Sequence, residues 1–406
     1  MTDLATAAHP LLAAAEAILP DVIDVRRRLH RVPEIGLQLP KTQAVVLEQL
    51  RALGLDPKPG VTSTSVVAVI DGARPGPTIL LRGDMDALPL TEDTGLDFAS
   101  EIPGAMHACG HDTHVAMLLG AARLLVERRD QLAGRVLLMF QPGEEGPHGA
   151  RFMLEEGLLD EGPHGAGDVA RAVAIHISTR YAAGTILVRP GALLASADAI
   201  KGIVRGRGGH ASAPHLSLDP IPTAAELVLA LQAAVTRSID VFDPAVLTIA
   251  RISGGTTNNI IPETVEIEGT IRTVSPQTRA AMHELVARVA AGVGATHGTD
   301  VELQVVPGYP VTMCDPEVTE WVRGLAVDLA GEDRVDTLEH PIMGAEDFAY
   351  VTERVPGMMA FLGARPASED PATAPQNHSN LVVFDEASMA LGVALYAAAA
   401  LDFLRA

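Results

Sequence analysis

Apolar positions in the first part of the chain repeat at two different spacings. From residue 4 to residue 30 they recur every three or four positions, one face of a helix, and close on Arg26-Arg27-Arg28-Leu29-His30. Pro33 ends any helix nearby. A second helix is expected over Lys41–Leu53, stopped by Gly54. Short apolar runs at Val66–Ile70 and Pro77–Arg82, set between Gly and Pro turns, read as strands. Helical spacing returns over Val115–Arg129. Gly134–Phe140 is an unbroken apolar run, which suits a buried parallel strand. A helix over about Ala150–Glu156 then leads to a strand at Ala172–Ile177. Strands alternating with helices predict an α/β fold, a mainly parallel mixed sheet covered by helices.

The pattern changes around Arg189–Leu194. A strand is expected at 198–205, then a helix over Pro220–Arg237 opened by Asp219 as cap and Pro220 at its first position. Strands at Ala245–Ser253 and Thr264–Val274, a helix over Gln277–Ala291 and a strand near Val301–Val306 complete a β-α-β-β-α-β order, that of a ferredoxin-like α+β unit. The first pattern then resumes with a helix at Pro316–Ala330, a strand at Met358–Gly363, a polar loop over Arg365–Asn377 and an Ala-rich helix from Asp385. The expected organisation is one domain in two parts, 1–191 and 308–406, with 192–307 inserted as a second.

Composition narrows the function. At 406 residues, 48% apolar and 20% charged, the chain is globular with length enough for a sizeable core. A net charge of −21 argues against nucleic acid and against an anionic membrane surface, both of which select basic patches. Two cysteines are too few for a disulfide framework, so a reducing compartment is expected. No apolar run of membrane length stands out. The apolar stretch Leu11–Leu19 carries Glu16 and lacks a basic start, so it reads as a helix rather than a signal peptide; a cytoplasmic protein is expected.

The densest chemistry lies in Met106-His107-Ala108-Cys109-Gly110-His111-Asp112-Thr113-His114. It suits either a metal site or a nucleophilic Cys109 activated by His107 or His111. Asp84 and Asp86, two apart in extended chain, point the same way just past a strand end, where open α/β sheets place ligands. Glu144-Glu145 follow the buried run Gly134–Phe140, His176 lies near the end of its strand, and His378 closes the late polar loop. Cys109, His111, Glu145, His176 and His378 are too many for one four-coordinate ion and suit a pair of divalent ions. The thiolate favours zinc, the carboxylate tolerates manganese, and the imidazoles also accept cobalt or nickel. Of the two adjacent glutamates one suffices as ligand, and the other can take a proton from water that the ion has acidified. The nucleophile reading leaves the glutamate pair, His176 and His378 unexplained and ranks below. Singly, each residue also fits a plainer role: adjacent glutamates as solvated surface, His176 as a core histidine, Asp84 as a cap, His107 and His114 as supports. His30 and Glu34 suit tying down a turn.

Taken together these residues resemble the M20 metallopeptidase and aminoacylase family, in the branch of N-acyl-amino-acid amidohydrolases, hippurate hydrolases and auxin-conjugate hydrolases. The carriers are Leu29-His30-Arg31-Val32-Pro33-Glu34, Asp84-Met85-Asp86-Ala87-Leu88-Pro89, Met106 to Asp112 with His114, Gln141-Pro142-Gly143-Glu144-Glu145-Gly146, Gly206 to His210 with Pro214-His215, Asn259-Ile260-Ile261-Pro262, Gly269 to Thr273, Glu346-Asp347-Phe348 and His378-Ser379. The resemblance implies a di-metal catalytic domain with an inserted lid that also forms a homodimer interface. It makes Cys109, His111, Glu145, His176 and His378 metal ligands, Glu144 the general base and Asp86 the residue that orients a metal-binding imidazole. It gives His210 a role in the partner subunit's site, holding the developing oxyanion, and Asn259 and Arg272 roles in binding the substrate. The implied reaction is hydrolysis of an N-acyl-amino acid; the alternatives are a di- or aminopeptidase of the same fold or an inactive binding homologue. Where the branch often continues its histidine with Ser-Pro-Arg-Phe, this chain has Ser379-Asn380-Leu381-Val382, so its acyl specificity does not transfer.

Overall fold

The computed structural model describes residues 9–405, so the expected helical start at residues 4–8 lies outside the described part. The chain divides into two compact units. The first takes the chain up to Gly191, Met313–Glu339 and everything from Tyr350 on; the second takes Ala192–Thr312 and His340–Ala349. The short segment His340–Ala349 carries Glu346-Asp347, which the sequence pattern leaves with the late part of the first domain.

The first unit is built on an eight-stranded sheet. Its strands are β1 (Lys58–Pro59), β2 (Val66–Asp71), β3 (Arg74–Asp84), β4 (Ala133–Gln141), β5 (Val169–Ala182), β6 (Ile186–Val188), β7 (Val335–Thr337) and β8 (Gly357–Arg365), in the order β1-β2-β4-β3-β5-β8-β6-β7. The central run β4-β3-β5-β8 is parallel throughout. Those four strands are apolar on both faces and almost wholly buried over their centres, which is what parallel strands under helices on both sides require. The covering helices include α1 (Pro10–His30), α2 (Pro40–Ala52), α3 (His111–Val126), α4 (Gly149–Glu155), α5 (Pro316–Ala330) and α6 (Met389–Phe403). Proline at the first position opens α1, α2 and α5, where its missing N–H removes no helical bond. Glu34 caps α2 by accepting from the N–H groups of Lys41 and Thr42, a sharper role than the turn its sequence context suggests. One stretch, Glu386–Phe403, is long and apolar enough to cross a membrane, contrary to the sequence expectation. It is 72% buried, because alanines let α6 pack closely as a core helix.

Three elements differ from expectation in ways that matter for chemistry. The strand β3 runs through Asp84 instead of ending at Arg82. The helix α3 begins at His111, four residues before the apolar periodicity does, because Gly110 takes a left-handed φ of 86° at its cap. The strand β5 extends to Ala182, so His176 sits inside it and not near its end.

The second unit holds an antiparallel four-stranded sheet in the order Ala245–Gly254, Thr264–Thr273, Ala197–Arg205, Asp300–Tyr309. Helices Pro220–Ser238 and Pro276–His297 cover one face. Burial along Thr264–Thr273 alternates strictly, with Val265, Ile267 and Ile271 packed on Leu227, Leu231, Met282 and Leu285. Asp198 is buried at the start of its strand and accepts from both Arg279 and the N–H of Gly308, with His283 Nε2 at 2.7 Å.

Candidate metal centre

Four neighbouring parallel strands each lead to one part of the centre. The strand β3 leads to Asp84 and Asp86, β4 to Glu144-Glu145, β5 carries His176, and β8 precedes the loop that ends in His378. The pairing of β3 with β5 stops at Arg82 and Ala174. There the Tyr396 hydroxyl from α6 takes over: it donates to the carbonyl of Arg82 at 2.6 Å and accepts from the N–H of Ile175 at 2.9 Å. Beyond this bridge the pairing does not resume; His114 instead spans Asp84 and the N–H of Ile177, with the rings of His111 and His176 against it and against each other, all four side chains being buried or half-buried. Crowding at Gly110 explains its residue type as well as its conformation, since a Cβ there would lie 2.4 Å from Ile177.

Cys109 stands at the middle. Its Sγ is 3.4 Å from His176 Nε2 and 3.3 Å from His378 Nε2. Glu145 Oε1 lies 3.2 Å from His378 Nε2 and 3.9 Å from His111 Nε2. Two donor groups follow, Cys109-His111-His176 and Cys109-Glu145-His378, each with its ligand atoms within 4.8 Å of one another, and they share the thiol. A zinc ion with a sulfur at ~2.3 Å and a nitrogen at ~2.1 Å in tetrahedral array holds them about 3.6 Å apart. The observed sulfur–nitrogen separations are close to that.

The protonation states also suit a cation. His176 donates from Nδ1 to the carbonyl of Ile177 at 2.8 Å, and burial pushes its pKa down to about 3, so a neutral ring turns its Nε2 lone pair to the thiol. His378 is pushed up to about 10 by Cys109 and Glu145, so a proton takes the place of positive charge between them. His111 is fully buried, yet neither ring nitrogen makes a hydrogen bond, its nearest acid oxygens being those of Asp84 at 3.4 Å and Asp86 at 3.5 Å. A buried polar atom left so costs about 1–3 kcal/mol, and a divalent cation between His111 and Glu145 would satisfy it. Burial and the Glu145 charge push the Cys109 thiol up. An activated nucleophile needs the opposite.

Around the donors lies a shell of fixed partners. Asp86 accepts from the N–H of Glu144 at 2.9 Å and of Glu145 at 3.0 Å, and its Oδ1 is 3.5 Å from His111 Nδ1. It therefore sets both glutamates and the imidazole together. Asp84 pairs with Arg82 at 2.7 Å and with His114 Nδ1, and lies 3.4 Å from His111 Nε2. Burial opposes the charge on Asp84, but Arg82 and the two histidines hold its carboxyl well below the usual range. His114 could join Asp84 and His111 by proximity, but its Nε2 already accepts from the N–H of Ile177 at 2.8 Å. With Nδ1 on Asp84, it has no lone pair left for a metal. Glu144 is buried, and can reach within 4.8 Å of His111 and Glu145.

Two further side chains were not singled out by sequence. Arg82 is a charged residue in an apolar run, a signal that some buried acid must pair with it. Asn377 sits beside His378 and bonds to the backbone at Cys109 and Ile177. His107 and His30 fall outside the donor set. His30 lies between Asp112 and Glu92, and His107 is a fully buried ring whose pKa burial lowers to about 3. Phe98 packs under Arg26 and Arg27 and against His30.

His210, Asn259 and Arg272 all belong to the second unit. A two-residue ladder pairs Gly209-His210 with Ile260-Ile261, and the N–H of Ala211 donates to the carbonyl of Asn259, so His210 and Asn259 are neighbours. His210 is exposed, with Nδ1 accepting from the N–H of Ser212 at 3.1 Å. Arg272 is half-buried on its strand, and burial lowers its pKa.

Comparison with known proteins supplies the context for this geometry. The model of peptidase family M20/M25/M40 matches residues 80–402. Thermostable carboxypeptidase 1 of Saccharolobus solfataricus is 39% identical over 386 residues, 94% of this chain and 95% of that protein. N-acetyl-L-cysteine deacetylase of Bacillus subtilis is 38% identical over 343 residues, covering 84% and 80%. IAA-amino acid hydrolase ILR1-like 2 of Arabidopsis thaliana is 35% identical over 394 residues, covering 95% and 87%. Among solved structures, a Bacillus subtilis dinuclear metal-binding peptidase superposes with a TM-score of 0.82 at 32% identity, over 96% of this chain and 99% of that one.

Proposed function

Since the chain belongs to peptidase family M20/M25/M40, we propose that it is a metal-dependent amidohydrolase that splits the amide bond of N-acyl-amino acids into a carboxylic acid and a free amino acid. The observation that carries this reading is the pair of donor groups meeting at Cys109 with Glu144 beside them. The deacetylase and the IAA-amino acid hydrolase add that relatives with different acyl groups share an acylated amino acid as substrate.

Cys109, His111, Glu145, His176 and His378 would hold two divalent ions, zinc or manganese first, with cobalt or nickel as substitutes. When bound, such ions polarise the amide carbonyl and acidify water. Glu144 takes a proton from the attacking water as its oxygen joins the carbonyl carbon, and passes it to the nitrogen as the C–N bond breaks. Asp86 keeps Glu144 and Glu145 in register with His111. Asn259 and Arg272 take the carboxylate and carbonyl of the amino-acid part, for which a guanidinium is well suited. His210, supplied by a partner subunit, holds the developing oxyanion. Exposed Val246 and Ile252 on Ala245–Gly254, an edge strand of the second unit, support a homodimer formed through that unit, because an apolar unpaired edge favours association.

The test is a turnover screen of acetyl-, benzoyl- and indolyl-acyl-amino acids beside free-amine dipeptides, each with zinc, manganese, cobalt and nickel. Turnover of acylated substrates well above that of free-amine peptides is expected. The similarity to thermostable carboxypeptidase 1 favours a second reading, a peptidase, and faster cleavage of free-amine peptides would establish that one instead.

A further inference from the structure

The histidine of the late loop poses a positioning problem. His378 has a side chain 55% exposed and a backbone φ of 71°, a conformation side-chain-bearing residues rarely hold unless something fixes it. Packing does not fix it. Its own backbone gives one tether, from its N–H to the carbonyl of Ala108 at 2.9 Å.

The residue before it supplies more. Asn377 Nδ2 donates to the carbonyl of Cys109 at 3.1 Å and to the carbonyl of Ile177 at 3.0 Å, and Oδ1 accepts from the N–H of Thr179 at 3.2 Å. Both amide hydrogens are thus used on backbone oxygens. The reverse amide orientation would set an oxygen against two carbonyls and an NH2 against an N–H, so the geometry permits only one. The carbonyl of Ile177 also accepts Nδ1–H of His176, the bond that points the Nε2 of His176 at Cys109. Thr179 closes the arrangement, its hydroxyl donating to the carbonyl of Pro375 at 2.8 Å. One amide, on the residue next to His378, therefore touches the backbone of Cys109, the carbonyl that orients His176 and the N–H of Thr179.

We propose that Asn377 is a positioning residue of the metal centre: its side-chain amide sets Cys109, His176 and His378 relative to one another before any ion binds, fixing the two donor groups at their shared thiol. This rests on the reading of those three residues as ligands. His111 and Glu145 have their own support from Asp86 and from the first turn of α3, so Asn377 acts on the sulfur side of the centre.

The test is cobalt(II) titration of the metal-free full-length protein, following thiolate-to-cobalt charge-transfer absorption, with thermal melting of the same metal-free samples. Asn377→Ala is expected to weaken cobalt binding about 10- to 100-fold, the usual effect of losing a partner that orients ligands. Asn377→Asp keeps the acceptor for Thr179 but faces two carbonyls with a carboxylate oxygen, and is expected to be at least as weak. Wild-type cobalt affinity in either variant overturns the proposal. So does a lowered melting temperature of the metal-free protein with unchanged cobalt affinity, which marks a structural role alone. Cys109→Ser and His378→Ala run as controls. If those two bind cobalt like the wild type with the same absorption, the ligand reading itself falls; if only the Asn377 variants do, the positioning role alone falls.

Discussion

Cys109 shows how one side chain can be legible in type and illegible in role. Its thiol, beside Gly110 and His111, marks metal or nucleophile chemistry in the sequence, and the structure brings His176 and His378 to 3.4 and 3.3 Å from Sγ, which favours the proposed metal role. The glutamate pair behaves likewise. Adjacent carboxylates differ in nothing local; here Glu145 Oε1 faces His378 and His111, while Asp86 holds the backbone of both. If Glu144 moves the proton and Glu145 binds metal, Glu144→Gln lowers kcat by ~10²- to 10⁴-fold with metal content unchanged, as measured by turnover and metal analysis on one sample. Retained turnover at full metal content would remove Glu144 from the mechanism. His114 is the converse case. It sits in the same motif as the proposed ligands, and its two occupied nitrogens turn it into a support for Asp84.

At the scale of elements, periodicity located most helices and strands within a few residues, and α5 to the residue. It missed the strands β1, β6 and β7, which are two or three residues long and too short to show a period. It also misjudged β5, because the strand stays paired with β8 after it has left β3. That parting depends on Tyr396. Tyr396→Phe leaves the carbonyl of Arg82 and the N–H of Ile175 without their hydroxyl partner and is expected to cost about 1–3 kcal/mol in chemical denaturation. A stability equal to that of the wild type would show that the bridge does not hold the strand ends. In the second unit, burial opposes the charge on Asp198, but Arg279, His283 and the N–H of Gly308 lower its pKa. Its contribution to stability is therefore present above its unfolded pKa of about 4 and lost as pH falls through the lower folded value. Asp198→Asn should lower stability at neutral pH by ~3 kcal/mol and flatten its acid dependence, read by denaturation at pH 7 and near pH 3.

At the scale of the molecule, the proposed trans role of His210 gives the sharpest prediction. His210→Ala and Glu144→Gln chains, each inactive alone, should regain activity when refolded together, because a mixed dimer rebuilds one site with both residues intact. Mixtures as inactive as their parents, in a sample shown to contain mixed dimers, would exclude that role. His210 is exposed and its Nδ1 bonds to Ser212 within its own turn, as suits a residue serving another chain.

By itself, the sequence determined the alternation of strands and helices, the β-α-β-β-α-β order of elements in the second unit and the types of donor present. Those follow from short-range facts: burial repeats every two or every three to four residues, and a thiol, an imidazole or a carboxylate has its chemistry wherever it stands. The motif order along the chain carried the family resemblance too. Only the tertiary structure decided which donors meet. The parallel order β4-β3-β5-β8 gathers their loops at one end of the sheet, and bonds such as that from Asn377 to Cys109, 268 positions apart, fix the separations. Distances of that kind are set by strand order and by which buried polar groups must be satisfied, and local spacing holds no record of either.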